Sequence, residues 1–276
     1  MRFGYGTNGF DNHRLDDALT VLADLGYDGV AITLDHHHLD PFAPGLAAEV
    51  ARVAARLDRL GLGRVVETGA RYLLDPWRKH RPTLFEDGPR VDLLKRAVAV
   101  AADLGAEAMS FWSGVPPQGM GDDEAWRRLQ DACAEVVEAA GERGVRLGFE
   151  PEPGMFVDTL ERYLELRARL GGPEEFGLTL DIGHCRCLEP RPVPECVRAA
   201  APYLVNVQIE DMRRGVHEHL EFGEGEIEFG PVLAALSDGG YGGLVSVELP
   251  RHSHAAVDVA RRSLAFLRAH TPAGVP

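Results

Sequence analysis

Leu178-Thr179-Leu180-Asp181-Ile182-Gly183-His184 decides how the rest of the chain is read. The run opens apolar and β-tolerant, then turns to an acid, a glycine and a histidine. A buried strand ending this way sets two candidate ligands, Asp181 and His184, at its carboxyl end. They stand three residues apart, so both can face one point only if the chain leaves the strand between them. Gly183, with no Cβ to restrict φ, is expected to permit that turn. Three further runs end alike: Arg146-Leu147-Gly148-Phe149 in Glu150, Val205-Asn206-Val207 in Gln208 with Glu210 and Asp211 behind it, and Leu244-Val245-Ser246-Val247 in Glu248. Four apolar strands thus each deliver a carboxylate or amide oxygen.

Working outward, short apolar runs alternate with helical periodicity along the whole chain. Strands are expected at 2–7, 29–34, 64–66, 108–112, 145–150, 177–181, 204–209 and 243–248. Helices are expected at 15–25, 46–60, 91–104, 125–140, 159–170, near 194–201, near 231–238 and at 255–269. Gly26, Gly61 and Gly105 supply helix stops. Eight β-then-α units without a change of period predict a closed parallel (β/α)8 barrel, a TIM barrel, as a single domain over 1–276. An open doubly wound sheet is disfavoured, because no G-x-G-x-x-G follows the first strand and acids end many different strands. The long stretch from Tyr72 to Pro89, with Trp77, Lys79 and His80, is expected to be an ordered lid over the carboxyl ends.

A chain of 276 residues, 45% hydrophobic, suffices for one large core. Its 29 basic against 43 acidic residues give a net charge of −14, a field that repels polyanions and argues against nucleic acid as a partner. The four cysteines form no C-x-x-C pair and suggest a reducing setting. The N-terminus enters a strand directly, without a basic head and apolar core, and no run approaches the roughly 20 apolar residues of a membrane span. A cytoplasmic protein without a membrane partner is the expectation.

Glu150, Asp181 and Glu248 would repel strongly if gathered in a low-dielectric site, and a divalent cation would resolve this. With Gln208 they form a candidate oxygen-rich metal site, suited to Mn²⁺ or Mg²⁺, with Co²⁺, Fe²⁺ or Zn²⁺ added if histidine contributes. His217 and His219 stand in a charged, Gly-rich run that reads as a loop after the seventh strand. At least two of His36, His37 and His38 read as solvated loop.

Glu150-Pro151-Glu152, Leu180-Asp181-Ile182-Gly183-His184, Val207-Gln208-Ile209-Glu210-Asp211, His219 through Phe229 and Ser246-Val247-Glu248 together resemble the sugar phosphate isomerase/epimerase family. That family belongs to the xylose isomerase-like TIM barrels, which include the endonuclease IV type. The resemblance implies metal ligands at Glu150, Asp181, Gln208 and Glu248, substrate or metal contact by His184 and a site-facing role for His219. The family commonly has His where this chain has Gln208; an amide oxygen there shifts the metal preference toward Mn²⁺ or Mg²⁺. Glu152 and Asp211 are added as candidate substrate contacts, and Lys79, His80 or Arg213 as binders of a distal phosphate or carboxylate. Barrels of the family often pair, so a homodimer is an expectation.

The reaction so implied is isomerisation or epimerisation of a small carbohydrate-like substrate, a sugar, sugar phosphate or polyol-derived ketone. Glu150 and Glu248 would act as the acid/base pair on the two faces of an enediolate. A lyase or dehydratase acting on a keto-sugar, a phosphodiester hydrolase of the endonuclease IV type, and a non-catalytic ligand-binding barrel, which Gln208 would fit, are the alternatives.

Overall fold

The computed structural model describes residues 1–272. Eight parallel strands close a barrel: β1 (Arg2–Gly6), β2 (Gly29–Thr33), β3 (Gly63–Glu67), β4 (Met109–Phe111), β5 (Leu147–Phe149), β6 (Phe176–Asp181), β7 (Leu204–Ile209) and, last in the chain, β10 (Leu244–Val247). Each strand pairs with its predecessor in the ring, and β10 closes it against β1 through Arg2↔Leu244 to Tyr5↔Val247. β2, β6 and β7 are buried at every position. That fits strands covered on both faces, by barrel interior and by helices.

Between the strands run α1 (Leu15–Leu25), α2 (Leu46–Leu60), α3 (Arg90–Leu104), α4 (Asp122–Arg143), α5 (Leu160–Arg169), α6 (Ile182–Leu188), α7 (Val193–Ala200), α8 (Phe229–Asp238) and, after β10, α9 (Ala256–His270). The glycine stops act as read: Gly26 and Gly61 take left-handed backbone and donate their N–H groups to the last turns of α1 and α2. The barrel's outer wall is fixed by aromatic packing, with Phe111, Phe149 and Phe176 in mutual contact and Tyr163 of α5 stacked on Phe176. No helix of the described residues is long and apolar enough to cross a membrane, and all four cysteines are buried free thiols.

Two elements differ from the sequence expectation. The turn after Asp181 is the first turn of α6, so Gly183 has helical backbone and its freedom of φ is not used. The stretch after β7 is a hairpin, not a loop: β8 (Asp211–Arg213) pairs antiparallel with β9 (Val216–Leu220), turning at Arg214-Gly215. Its first strand is three residues long and its second is largely exposed, so neither carries enough apolar alternation to announce itself. The segment from Thr68 to Pro89 runs by turns beside the barrel mouth, with the His80 Nδ1 donating to the Gly69 carbonyl at 2.6 Å. His36 and His37 are exposed, whereas His38 is buried.

Candidate active site

The carboxyl ends of the strands open into a cavity of about 610 Å³, within the range of small-molecule sites. The chain's inner oxygens reach it because each stands at or just past a strand end. Glu150 follows β5, its N–H bonded to the Phe111 carbonyl of β4 at 2.8 Å. Glu248 follows β10, its N–H bonded to the Ile209 carbonyl of β7 at 3.2 Å. Gln208 is in register with Asp181 on one side and Ser246 on the other.

Asp181 caps α6: one carboxylate oxygen accepts the His184 N–H at 2.8 Å, leaving Oδ2 buried and without a partner. Oxygens of Glu150, Asp181 and Glu248 lie within 4.8 Å of one another. Gln208 donates its amide to Glu67 at 3.0 Å, which leaves its carbonyl oxygen buried and unpartnered. Buried acceptors without donors are costly. An oxygen-rich set of this kind fits a divalent cation: three of the four expected ligands, Glu150, Asp181 and Glu248, come together, and Gln208 stands beside Asp181 in register.

The electrostatics agree. Burial, reinforced by Glu152 and Glu248, pushes the Glu150 carboxyl well above the usual range. Burial and Glu248 do the same to Glu67. Burial and Glu248 raise Glu152 to about 8. Burial also raises Glu248, with His219 opposing. Carboxylates so crowded carry full charge together only with a counter-charge.

Two functional residues escaped sequence reading. Glu67 ends β3 and carries the same signal as the other acids, an apolar strand closing on a carboxylate. Asn8 donates its amide to Glu248 at 2.9 Å, but it sits in the turn after β1, where nothing in the local pattern singles it out.

The histidines gather on one wall. His217 and His219 are two apart on β9 and project from the same face. His184 Nε2 is 3.1 Å from His217 Nε2, while its Nδ1 meets the Pro151 carbonyl at 3.2 Å. Burial drives the His184 imidazole down to about 3, so the ring is neutral. It lies behind the main cavity rather than lining it. Glu152 borders the cavity, its Oε1 3.5 Å from His217 Nε2.

At the mouth, Arg71, Lys79, His80 and Arg251 face the cavity around Trp112. The buried Arg90 guanidinium stacks on that indole at 4.2 Å and donates to the Thr68 carbonyl at 3.2 Å. His80, expected as an anion binder, is held by burial at about 4 and is neutral, which leaves the positive charge to its neighbours.

Besides His184, two expected contacts are not brought to the cavity. Asp211 is buried and spends both oxygens on backbone: it accepts from Met212 at 2.9 Å, Ile227 at 3.1 Å and Gly223 at 2.9 Å. Its work is to fasten the hairpin to the following loop. Arg213 is exposed and donates to the Glu224 carbonyl at 2.7 Å.

The sequence pattern of the xylose isomerase-like TIM barrel family matches residues 19–270. The chain belongs to this family. Among its relatives is the L-ribulose-5-phosphate 3-epimerase UlaE of Shigella flexneri, 25% identical over 241 residues, covering 84% of this chain and 81% of the relative. In three dimensions the barrel resembles an L-ribulose 3-epimerase, at TM-score 0.79 and 21% identity over 98% of this chain and 94% of the other. It also resembles the D-allulose 3-epimerase of Methylomonas sp. in complex with D-allulose, at TM-score 0.74 and 20% identity over 98% and 97%. Within the family fold, Asp181 and Gln208 of this chain lie on β6 and β7, and Glu150 and Glu248 just past the ends of β5 and β10.

Proposed function

We propose that this protein is an epimerase of a small ketose or ketose derivative, removing and returning a proton at a carbon next to the carbonyl. One observation carries the reading. Two carboxyl groups with raised proton affinity, Glu150 and Glu248, enter the same cavity from strands that β6 and β7 separate in the ring. One of them, as carboxylate, can take the proton from the substrate carbon to leave a planar enediolate, and the other, as carboxylic acid, can give a proton to the opposite face, which is what inversion of a single carbon requires. The names of the epimerase relatives support this assignment.

Held by Glu150, Asp181, Gln208 and Glu248, a divalent metal, with Mn²⁺ the first candidate, would supply Lewis-acid polarisation of the substrate carbonyl. Asn8 keeps Glu248 oriented through its 2.9 Å hydrogen bond, and Gln208 ties Glu67 to the same set. His219, His217 and Glu152 line one side of the cavity and are positioned to hold substrate hydroxyls. Lys79 at the mouth has no salt-bridge partner among the described residues and offers a cation to a phosphate or carboxylate at the far end of the substrate.

The test is solvent deuterium incorporation with a panel of free and phosphorylated ketoses. Glu150→Gln and Glu248→Gln are each expected to lower exchange by roughly 10²- to 10⁴-fold, the ordinary worth of a positioned acid or base. Undiminished exchange in both variants, on a substrate the wild type turns over, removes the pair from the mechanism. Product mass checks the reaction class, since an epimerase conserves mass and a dehydratase loses water. Lys79→Ala should raise KM for phosphorylated ketoses selectively; an equal effect on free sugars removes its anion-binding role.

A further inference from the structure

Arg90 is placed against its local preferences. It opens α3, where the partial positive charge of a helix N-terminus disfavours a cation. Its side chain is wholly buried, which arginine rarely tolerates without a paired acid. Its one side-chain hydrogen bond runs from Nη2 to the Thr68 carbonyl at 3.2 Å, while Nε and Nη1 are buried without a partner. Burial lowers its proton affinity to about 9, so it stays charged at neutral pH, and among the described residues no acid offsets the cost.

The groups Arg90 does touch belong to the cavity. Its guanidinium lies over the Trp112 indole at 4.2 Å. Thr68 begins the excursion between β3 and α3, and Arg90 follows its last residue, so their bond closes residues 68–89 at the base. The same excursion holds Ala70 at φ 52° and His80 at φ 63°, the non-glycine residues with left-handed backbone among those described. Such backbone is costly for a residue with a Cβ and persists where its surroundings enforce it. The enforcement is visible. His80 donates its N–H to the Arg71 carbonyl at 2.6 Å and its Nδ1 to the Gly69 carbonyl at 2.6 Å. Its ring stands edge-on to Trp112, centroids 5.3 Å apart. Arg90 therefore backs both the ring that His80 abuts and the carbonyl that starts the strained turn. Thr68, Gly69, Arg71, His80 and Trp112 all line the cavity, whereas Arg90 does not.

We propose that Arg90 is a positioning residue for substrate binding, holding the β3–β4 wall of the cavity in the shape that the substrate meets, and resting on the epimerase reading for the identity of that substrate. A planar guanidinium can lie flat on an indole and donate a hydrogen bond in its own plane at once; an ammonium cannot. An apolar side chain of similar length would fill the space but leave the Thr68 carbonyl without this donor. Arg90 touches no reacting atom, so its loss should act on binding and not on proton transfer.

The experiment compares full-length Arg90→Met and Arg90→Lys with the wild type. Amide hydrogen exchange is measured without ligand, and steady-state kinetics on any ketose the wild type turns over. In Arg90→Met the amides of residues 68–80 are expected to exchange roughly tenfold faster, the effect of losing one charge-assisted hydrogen bond, with the barrel strands unchanged. KM is expected to rise roughly tenfold while kcat stays within about threefold. Arg90→Lys keeps the charge and the reach to Thr68 but not the flat stack, and should fall between the two. Amides of 68–80 that exchange as in the wild type, or faster exchange spread evenly over the barrel, overturn the proposal. So does a fall in kcat at constant KM. An Arg90→Lys protein equal to the wild type in both measurements removes the need for the planar group, and the proposal with it. Should Arg90→Met fail to fold, Arg90→Lys carries the same comparison. A wild type that incorporates no solvent deuterium into any ketose sinks the epimerase reading, while amide exchange still decides whether Arg90 holds the wall.

Discussion

Gly183 shows how a residue can be singled out for the right position and the wrong reason. The Asp-x-Gly-His spacing pointed to a glycine that bends the chain, whereas the backbone there is helical and the missing Cβ is needed for space. Only the tertiary neighbour, Glu210 arriving from the end of β7, could reveal this. The carboxylates at strand ends were legible because they break apolar runs, and Asn8 was not because its role is defined by a partner 240 residues away. A consequence can be measured. Gly183→Ala forces a methyl against Glu210 Oε1 and Met212 Cε in a packed interior, an overpacking expected to cost about 1–3 kcal/mol. Urea unfolding of the variant reads this directly; stability equal to the wild type would mean that the space is not needed.

At the level of elements, helices and barrel strands were readable from period and from glycine stops. The hairpin β8–β9 was not. Its ten residues, Asp-Met-Arg-Arg-Gly-Val-His-Glu-His-Leu from Asp211 to Leu220, are mostly polar and half-exposed, so burial leaves no imprint on the pattern. What fixes the hairpin is Asp211, whose two oxygens collect three backbone N–H groups from Met212, Gly223 and Ile227. The residue read as a substrate contact is a structural anchor, and the His217 and His219 rings depend on it at one remove. Asp211→Ala leaves three donors without their acceptor inside the protein. The loss expected is about 2–4 kcal/mol, given about 1–3 kcal/mol for each buried donor left unmade and partial relief by relaxation or water. Hydrogen exchange should localise the damage to residues 211–227. Uniform exchange across the barrel, or none, would contradict the anchoring role.

Across the whole molecule, the barrel gathers Glu67, Glu150, Glu152 and Glu248 at one mouth, on a chain already carrying a charge of −14. Burial, with repulsion from neighbouring acids, raises the proton affinity of these groups in the folded state above their ordinary value of 4.5, in the case of Glu152 to about 8. The folded protein then binds more protons than the unfolded chain between those limits. The stability these carboxyl groups contribute without metal is therefore lost as pH rises through that window, from about 4.5 toward 8, while His80, His184 and His217, held neutral in the fold, act in the opposite sense below their ordinary value of 6.5. A divalent ion favours the ionised carboxylates and reverses the slope, because it competes with protons for the same oxygens. At 100 times its dissociation constant a bound ion adds about 2.7 kcal/mol. With roughly 2 °C per kcal/mol for a chain of this size, the gain in Tm is on the order of 5 °C. Thermal unfolding in chelator and in Mn²⁺ should then diverge with pH, the two curves nearly coinciding at pH 5 and separating by pH 8. Parallel curves with a constant gap would show that the ion binds away from the clustered acids, and with that the oxygen-rich centre would lose its physical basis.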